Sequence, residues 1–469
     1  MKARAGWFRA PLTAAILALA AALAPVTASA ATRASTSGAS TPASATKAST
    51  SWASAPASTS KTSTSRTSAS KTSSSKRLAF EESELGAALA PTPYMGWDTY
   101  FALGGNYNEA DVLEEASEMV QFGLPKLGYR YVWLDAGWWQ GKRNSKGEIE
   151  VSSLQWPRGI AELAATLHAA GLKLGVYTDA GREGCGAGTA GSYGHYQQDM
   201  DTLARWGVDA VKVDFCGGSQ QRLNPKKTYT RIHEAIVHDD PHRPILLSVC
   251  DFLQAGVLGF GRPPVSESSF TSYTFGPEVG NSWRTETDVG VPGEVKFEDV
   301  LRNLDADATH PEAAGPGHWN DPDYLAPGQG MTSAQFRTQF SMWSMLAAPL
   351  MVSENLSALS PENLETIGNA EVIAIDQDPA GVQGTLISTS GEGQVWAKPL
   401  SDGSFAVALL NRGAESVTIS TTAPAVGLPS PRSSYRVRNL WEHTESSTTG
   451  ALSATVPAYS TVLFRVYPK

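Results

Sequence analysis

Between about Pro93 and Gln377 the chain repeats one unit: a short apolar run ends in a carboxylate, and a helical pattern follows. The clear runs are 131–135, 172–179, 210–214 and 245–251, ending in Asp135, Asp179, Asp214 and Asp251. Weaker examples are 281–288 and 318–321, ending in Asp288 and Asp321. Successive aspartates lie roughly 33–44 residues apart, about one βα unit. The helical stretches are well punctuated. Asn108 can cap a helix whose Val112, Ala116, Met119 and Val120 share a face, with Gly123 after it. A second follows Pro157, carries Ile160, Leu163, Ala164 and Leu167, and stops at Gly171; a third ends at Trp206-Gly207. Such alternation predicts an α/β protein with a parallel sheet. A doubly wound sheet would satisfy it. Carboxylates at six strand ends favour a closed (β/α)8 TIM barrel, because barrel sites are assembled at the C-terminal ends of many strands. The first strand should fall near Met95-Gly96-Trp97 and the last within 345–352.

From about Gly381 the texture changes. Short apolar runs at 394–397, 405–410, 416–420 and 461–464 alternate with Gly, Pro and Ser turns. They predict a C-terminal antiparallel β-sandwich, with packing on the barrel the favoured role over sugar binding. The other end reads as export machinery. Lys2, Arg4 and Arg9 precede an apolar stretch from Leu12 to Leu23, and Ala28-Ser29-Ala30 fits a cleavage site. The stretch is too short for a permanent span, so no membrane association is expected after cleavage. Residues 31–85 are largely Ser, Thr and Ala with scattered Lys and Arg, a linker composition. The expected organisation is therefore signal peptide 1–30, linker 31–85, catalytic barrel 86–380 and β-sandwich 381–469, in a secreted, extracellular protein whose linker suits a cell-wall tether. Oligomeric state is left open.

A net charge of −9 without a concentrated basic face argues against a nucleic-acid partner. Cys185, Cys216 and Cys250 are the only cysteines, too few for a disulfide scaffold and without zinc-site spacing to His. No glycine loop for a nucleotide phosphate is present. No metal and no organic cofactor is implied.

Two segments carry the candidate chemistry: Val211-Lys212-Val213-Asp214-Phe215-Cys216 and Ser282-Trp283-Arg284-Thr285-Glu286-Thr287-Asp288. Each sets an aspartate near a cation at a strand-like end. Two carboxylates facing one small volume can cleave an acetal, one attacking the anomeric carbon and the other protonating the leaving oxygen. Lys212, two residues before Asp214 on the same strand face, is expected to lower its pKa and keep it ionised. The acid must carry a proton when substrate binds and so needs surroundings that raise its pKa; Asp288 is one candidate. Glu286 is the competing candidate for that role.

Seven segments, in order, resemble the motifs of glycoside hydrolase family 27, the α-galactosidase and α-N-acetylgalactosaminidase family. They are Met95-Gly96-Trp97, Leu134-Asp135, Tyr177-Thr178-Asp179-Ala180-Gly181, Lys212-Val213-Asp214, Ser248-Val249-Cys250-Asp251, Trp283 to Asp288, and Trp319-Asn320-Asp321-Pro322-Asp323. The resemblance implies Asp214 as nucleophile, Asp288 as acid/base and Arg284 as a hydroxyl ligand near C2. Asp135, Asp179 and Asp251 become sugar-hydroxyl acceptors through charge-assisted hydrogen bonds, with Lys212 beside them. Asp179 has a structural alternative at the barrel mouth, and Trp97 is either a stacking platform or a buried barrel residue. Asp251 stands where the resembled α-galactosidases carry Glu and the N-acetyl enzymes a small residue, which weighs against an acetamide. The resemblance also implies a Cys185–Cys216 disulfide, leaving Cys250 reduced and buried.

The chain departs from that pattern in two respects. Ala136 replaces the second aspartate of a pair that grips O4 and O6 of galactose, and Gly137 replaces a cysteine whose usual partner within 101–105 is also missing. The first loops should therefore be shaped differently, with Trp138 and Trp139 filling the space or adding a sugar platform. The expected activity is retaining hydrolysis of terminal α-D-galactosides, with a carbohydrate α-galactoside as partner. The alternatives are an isomalto-dextranase-type α-glucan hydrolase, a β-L-arabinopyranosidase, and a catalytically dead sugar-binding barrel.

Overall fold

The computed structural model describes residues 88–185, 189–239, 244–251, 272–429 and 433–468. The expected signal peptide and the whole of the Ser/Thr/Ala-rich stretch 31–85 lie outside the described residues. Among the described residues no helix is long and apolar enough to cross a membrane.

Eight parallel strands form one sheet: β1 Met95–Asp98, β2 Tyr129–Leu134, β3 Lys173–Asp179, β4 Ala210–Asp214, β5 Leu246–Cys250, β6 Ser282–Arg284, β7 Trp319–Asp321 and β8 Leu350–Val352. The order is β7-β6-β5-β4-β3-β2-β1-β8. The two ends meet just beyond β7, where Leu325 bridges Val352 in parallel and Ser353 N–H donates to Leu325 O at 2.8 Å. Helices follow the strands as the barrel rule requires. Asn108 caps the helix Glu109–Gln121 with a reciprocal capping box through Asp111. Gly207 ends the helix Tyr196–Trp206 in the left-handed region, where a Cβ would be costly.

The expected strands are found, with two shifts. The apolar residues at 345–348 do not begin β8. Met345 and Leu346 close the helix Ser333–Leu346, and Ala347 turns the chain with φ +56° before Pro349. Asp288 is not at a strand end either: β6 stops at Arg284, and Thr285 N–H turns to Asp321 O at 3.0 Å.

The barrel interior is layered. Tyr94, Tyr131, Trp133, Leu246, Trp319 and Met351 plug the N-terminal half. Tyr94 packs against Trp133 and Tyr131 with ring centroids at 5.6 and 5.8 Å. Strand alternation then sets Lys212, Ser248, Arg284 and Asp321 in the layer above, so the apolar plug lies below and the charged mouth above.

The remaining strands are β9 Thr385–Ser390, β10 Gly393–Pro399, β11 Phe405–Asn411, β12 Val417–Thr422, β13 Tyr435–Asn439, β14 Thr444–Thr448, β15 Ala451–Val456 and β16 Thr461–Pro468. They make a six-stranded antiparallel sheet faced by the β12–β15 ribbon. Period-2 alternation gives β11 two buried faces. Val407 and Leu409 enter the sandwich core, while Ala406, Ala408 and Leu410 join the barrel core. The helix Ser333–Leu346 between the two units is buried on nearly every side. Lys398 from β10 donates to Ser344 O at 3.0 Å, and Arg438 grips Glu371 through two bonds.

The first loops also take the shape their glycines permit. Gly137 has φ +116°, and a Cβ there would sit 2.3 Å from Gly105 O, so the two backbones touch where a side-chain bridge would need space. Trp138 and Trp139 fill the neighbouring volume at 2 % and 4 % exposure, with indole N–H groups bonded to Tyr177 O and Lys142 O. Gly137→Ala should therefore cost about 2–3 kcal/mol or more through overpacking and strain. Gly123→Ala, at φ +75° in the left-handed α region with nothing near its would-be Cβ, should cost only about 1 kcal/mol. Equal urea midpoints for the two variants would refute the close approach.

Candidate active site

The site is built from the C-terminal ends of the strands and the loops behind them. Asp135 follows β2 directly. Its Oδ2 accepts from Lys212 Nζ at 2.8 Å and from Tyr324 OH at 2.9 Å, and Lys212 also donates to Tyr324 OH at 3.0 Å. This three-way contact corrects the expected pairing of Lys212 with Asp214: the ammonium makes its ion pair with Asp135. Burial opposes the charge on Asp135, but the Lys212 ammonium and the hydrogen bonds outweigh it and hold the carboxyl below its ordinary value. Burial likewise opposes the charge on Lys212; Asp135 and Asp214 outweigh it and hold the ammonium well above its ordinary value.

Asp214 ends β4, 6 % exposed, registered between Asp179 of β3 and Cys250 of β5. Burial pushes it up to about 6; Lys212 pulls the other way, while the charges on Asp135 and Asp288 push with burial. Lys212 thus lowers the pKa of Asp214 as expected, but desolvation exceeds the pull of an ammonium already paired elsewhere, and the net shift is upward. No hydrogen bond among the described residues reaches Asp214 Oδ1, and the neighbouring Cys250 thiol acts on the carboxyl only as a weak donor that lowers its pKa slightly. Its Oδ2 lies 3.0 Å from Cys185 Sγ. That sulfur is bonded to Cys216 with Cα atoms 5.0 Å apart, so it carries no proton and the contact is packing. Cys250 is a free, buried thiol.

Arg284, 2 % exposed, is shared. Its NH2 donates to Asp288 Oδ1 and its NH1 stands against Asp323 Oδ1, both at 2.9 Å. Asp288 is partly exposed in the loop after β6, and its charge reaches Asp214 of β4. Glu286 turns to its own chain, accepting from Thr287 N–H at 2.9 Å. Burial pushes Asp323 up to about 7 against the pull of Arg284.

The other predicted residues separate by task. Asp179 is fully buried, and its oxygens accept from Gly181 N–H at 2.5 Å and Gly217 N–H at 3.3 Å. It ties together the turns after β3 and β4, which fits its structural alternative, and burial lifts it to about 7. Asp251 is also fully buried, accepts from Ser272 Oγ, and is pushed by burial to about 7. Trp97, 1 % exposed, packs with Val132 and Leu134 in the main core and donates its indole N–H to Glu354 O at 2.8 Å. Asp98 faces Asp135 and Lys212 instead, and burial raises its pKa well above the ordinary value. Asp179, Cys185 and Cys216 lie close enough to suggest metal ligands, but the two sulfurs are joined and offer no thiolate.

The sequence reading missed Tyr324, Asp323 and Asp98 as site residues. Each stands inside or one residue beyond a quoted motif. The available signal was the alternation that faces Asp98 inward next to Trp97, and an aromatic directly after Asp323.

Residues 105–378 match the family described as alpha galactosidase A, and residues 390–466 match the alpha galactosidase C-terminal beta sandwich domain. The chain is similar to the α-galactosidase of Cyamopsis tetragonoloba, 37 % identical over 383 residues, spanning 81 % of this chain and 87 % of that protein. It is 38 % identical over 389 residues to the α-galactosidase of Coffea arabica, spanning 82 % and 97 %. The solved α-galactosidase I of Mortierella vinacea superposes with a TM-score of 0.71 at 27 % identity, covering 80 % of this chain and 97 % of that one. The chain belongs to the α-galactosidase family, glycoside hydrolase family 27.

The disulfide that walls Asp214 closes a loop with a sequence separation of 31. Replacing both Cys185 and Cys216 by Ser should lower stability by roughly 3–4 kcal/mol in the chain-entropy estimate. Denaturant unfolding with and without reductant measures this, and unchanged stability would contradict the pairing. Native protein should resist maleimide at Cys250 and react there on unfolding.

Proposed function

We propose that the protein hydrolyses terminal α-D-galactosides with net retention, Asp214 acting as nucleophile and Asp288 as acid/base. The observation that carries this reading is the unequal setting of the two carboxylates in one barrel mouth. Asp214 is buried at a strand end with Oδ1 unengaged, whereas Asp288 is more open and held by Arg284. In the first step Asp214 bonds to the anomeric carbon as the glycosidic bond breaks, and Asp288 gives its proton to the departing oxygen. In the second, Asp288 takes a proton from water, the water oxygen bonds to the anomeric carbon, and Asp214 is released. Lys212, Asp135 and Tyr324 form a rigid polar wall beside the nucleophile that can meet sugar hydroxyls without reorganising. The α-galactosidase relatives support galactose as the sugar. The disulfide and the basic, apolar N-terminal sequence support export to an oxidising compartment.

An initial-rate panel of p-nitrophenyl α-D-galactoside, α-D-glucoside, α-N-acetylgalactosaminide and β-L-arabinopyranoside tests the sugar. The galactoside should be cleaved fastest, and a preference for α-glucan or arabinopyranoside would reassign the substrate within the family. Asp214→Asn should lower turnover by about 10⁴-fold or more on every substrate. Asp288→Asn should lose about 10²–10⁴-fold on alkyl galactosides and much less in the first step with activated aryl leaving groups. If Glu286→Gln shows that pattern instead, the acid/base is Glu286.

The pH profile follows from Asp214. Attack requires its ionised form, so kcat/KM should fall as pH drops through about 6, the value burial gives its carboxyl. An acidic limb near the ordinary aspartate value of about 4 would contradict that setting.

A further inference from the structure

Asp323 has no task in the scheme above, yet it is held in a conformation that needs support. It lies between β7 and the bridge at Leu325, 2 % exposed, with φ +88°, strained for a residue other than glycine. Its own N–H donates to Asp321 Oδ1 at 2.9 Å, its Oδ2 accepts from Val289 N–H at 2.7 Å, and its carbonyl accepts from Trp343 Nε1 at 2.7 Å. These contacts fix Oδ1 against one nitrogen of the Arg284 fork while the other nitrogen serves Asp288.

A guanidinium facing Asp288 alone would favour the carboxylate and deprive a general acid of its proton. A second carboxylate on the same cation removes that bias. We propose that Asp323 is a positioning residue for the acid–base step: it divides the charge of Arg284, so that Asp288 can hold the proton it must deliver. The proposal rests on the reading of Asp288 as acid/base. The other groups facing Asp288 are Asp214 from β4, Cys250 from β5, Tyr100 from the helix Thr99–Leu103, and Arg302, whose NH2 donates to the Asp288 backbone carbonyl at 2.7 Å. Arg302 also pairs with Asp299, so Arg284 is the cation whose charge the Asp288 side chain contacts directly.

Burial lifts Asp323 to about 7, so its charge is present on the alkaline side, where the proton of Asp288 must be retained. Removing the charge of Asp323 takes one carboxylate off the Arg284 fork, so the pull of that cation on Asp288 strengthens and Asp288 loses its proton at lower pH. Asp323→Asn keeps the shape and suits a positive φ. It should move the alkaline limb of kcat/KM for an alkyl α-galactoside down by about one pH unit. The profile for a dinitrophenyl α-galactoside, whose leaving group needs no proton, should stay in place. A variant slower at every pH with an unmoved alkaline limb would show a merely structural role and overturn the proposal. Arg284→Gln tests the same idea with the opposite sign, through its residual activity: the limb should move up, and an unmoved or lowered limb overturns the proposal even if Asp323→Asn does not fold. Asp288→Asn separates the two claims. If that variant shows no dependence on leaving group, the acid/base reading fails, whatever Asp323 does.

Discussion

Two buried cations govern this barrel mouth. Lys212 and Arg284 sit among Asp98, Asp135, Asp214, Asp288, Asp321 and Asp323, with the backbone of eight strands around them. Among the described residues carboxylates outnumber cations there, and burial penalises every uncompensated charge. Charge in the mouth is therefore rationed by contact. Asp135 keeps its charge because Lys212 and Tyr324 touch it. Asp214, which neither cation touches, is held near the point of protonation. A carboxylate so placed is weakly solvated and has a free oxygen, which suits attack on carbon. Arg284 divides itself between the other side's two carboxylates. The two candidate carboxylates thus differ in what contacts them, not in residue type.

The remaining structure serves that arrangement. The Tyr94–Tyr131–Trp133 plug fixes the strands below the mouth, so Lys212 and Arg284 rise from a floor that cannot shift without disturbing packed rings. Asp179 and the Cys185–Cys216 bridge tie the β3 and β4 turns together beside Asp214. The β-sandwich acts at longer range. It buries the helix Ser333–Leu346, and Trp343 of that helix donates to the Asp323 carbonyl. A contact chain therefore runs from the sandwich to the Arg284 fork.

Much of this was legible in the sequence because it is periodic or local. Apolar runs closed by aspartate marked most of the strands, Asn108 and Gly207 marked helix ends, and the two chemical segments proved to share one barrel mouth. What was not legible depended on the third dimension. The partner of Lys212 is Asp135, 77 residues away, because neighbouring inward residues meet across the barrel layer rather than along one strand. Trp97 read as a sugar platform or a core residue; only strand alternation and its bond to Glu354 place it in the core. Tyr324 and Asp323 escaped notice because their roles depend on the turn after β7, whose positive φ no local pattern announced. The strand at 385–390, wholly exposed, lacks the alternation that betrays a half-buried strand.

The central claim is that Asp214, lifted by burial and left free at Oδ1, forms the covalent bond to the sugar. Trapping the enzyme with 5-fluoro-α-D-galactosyl fluoride and mapping the labelled peptide by mass spectrometry tests this most directly. The account predicts a single fluorogalactosyl adduct on the peptide containing Asp214, with Asp288 and Glu286 unmodified. An adduct on either of those residues, or no adduct from an enzyme whose first-formed product is the β-anomer, would contradict it.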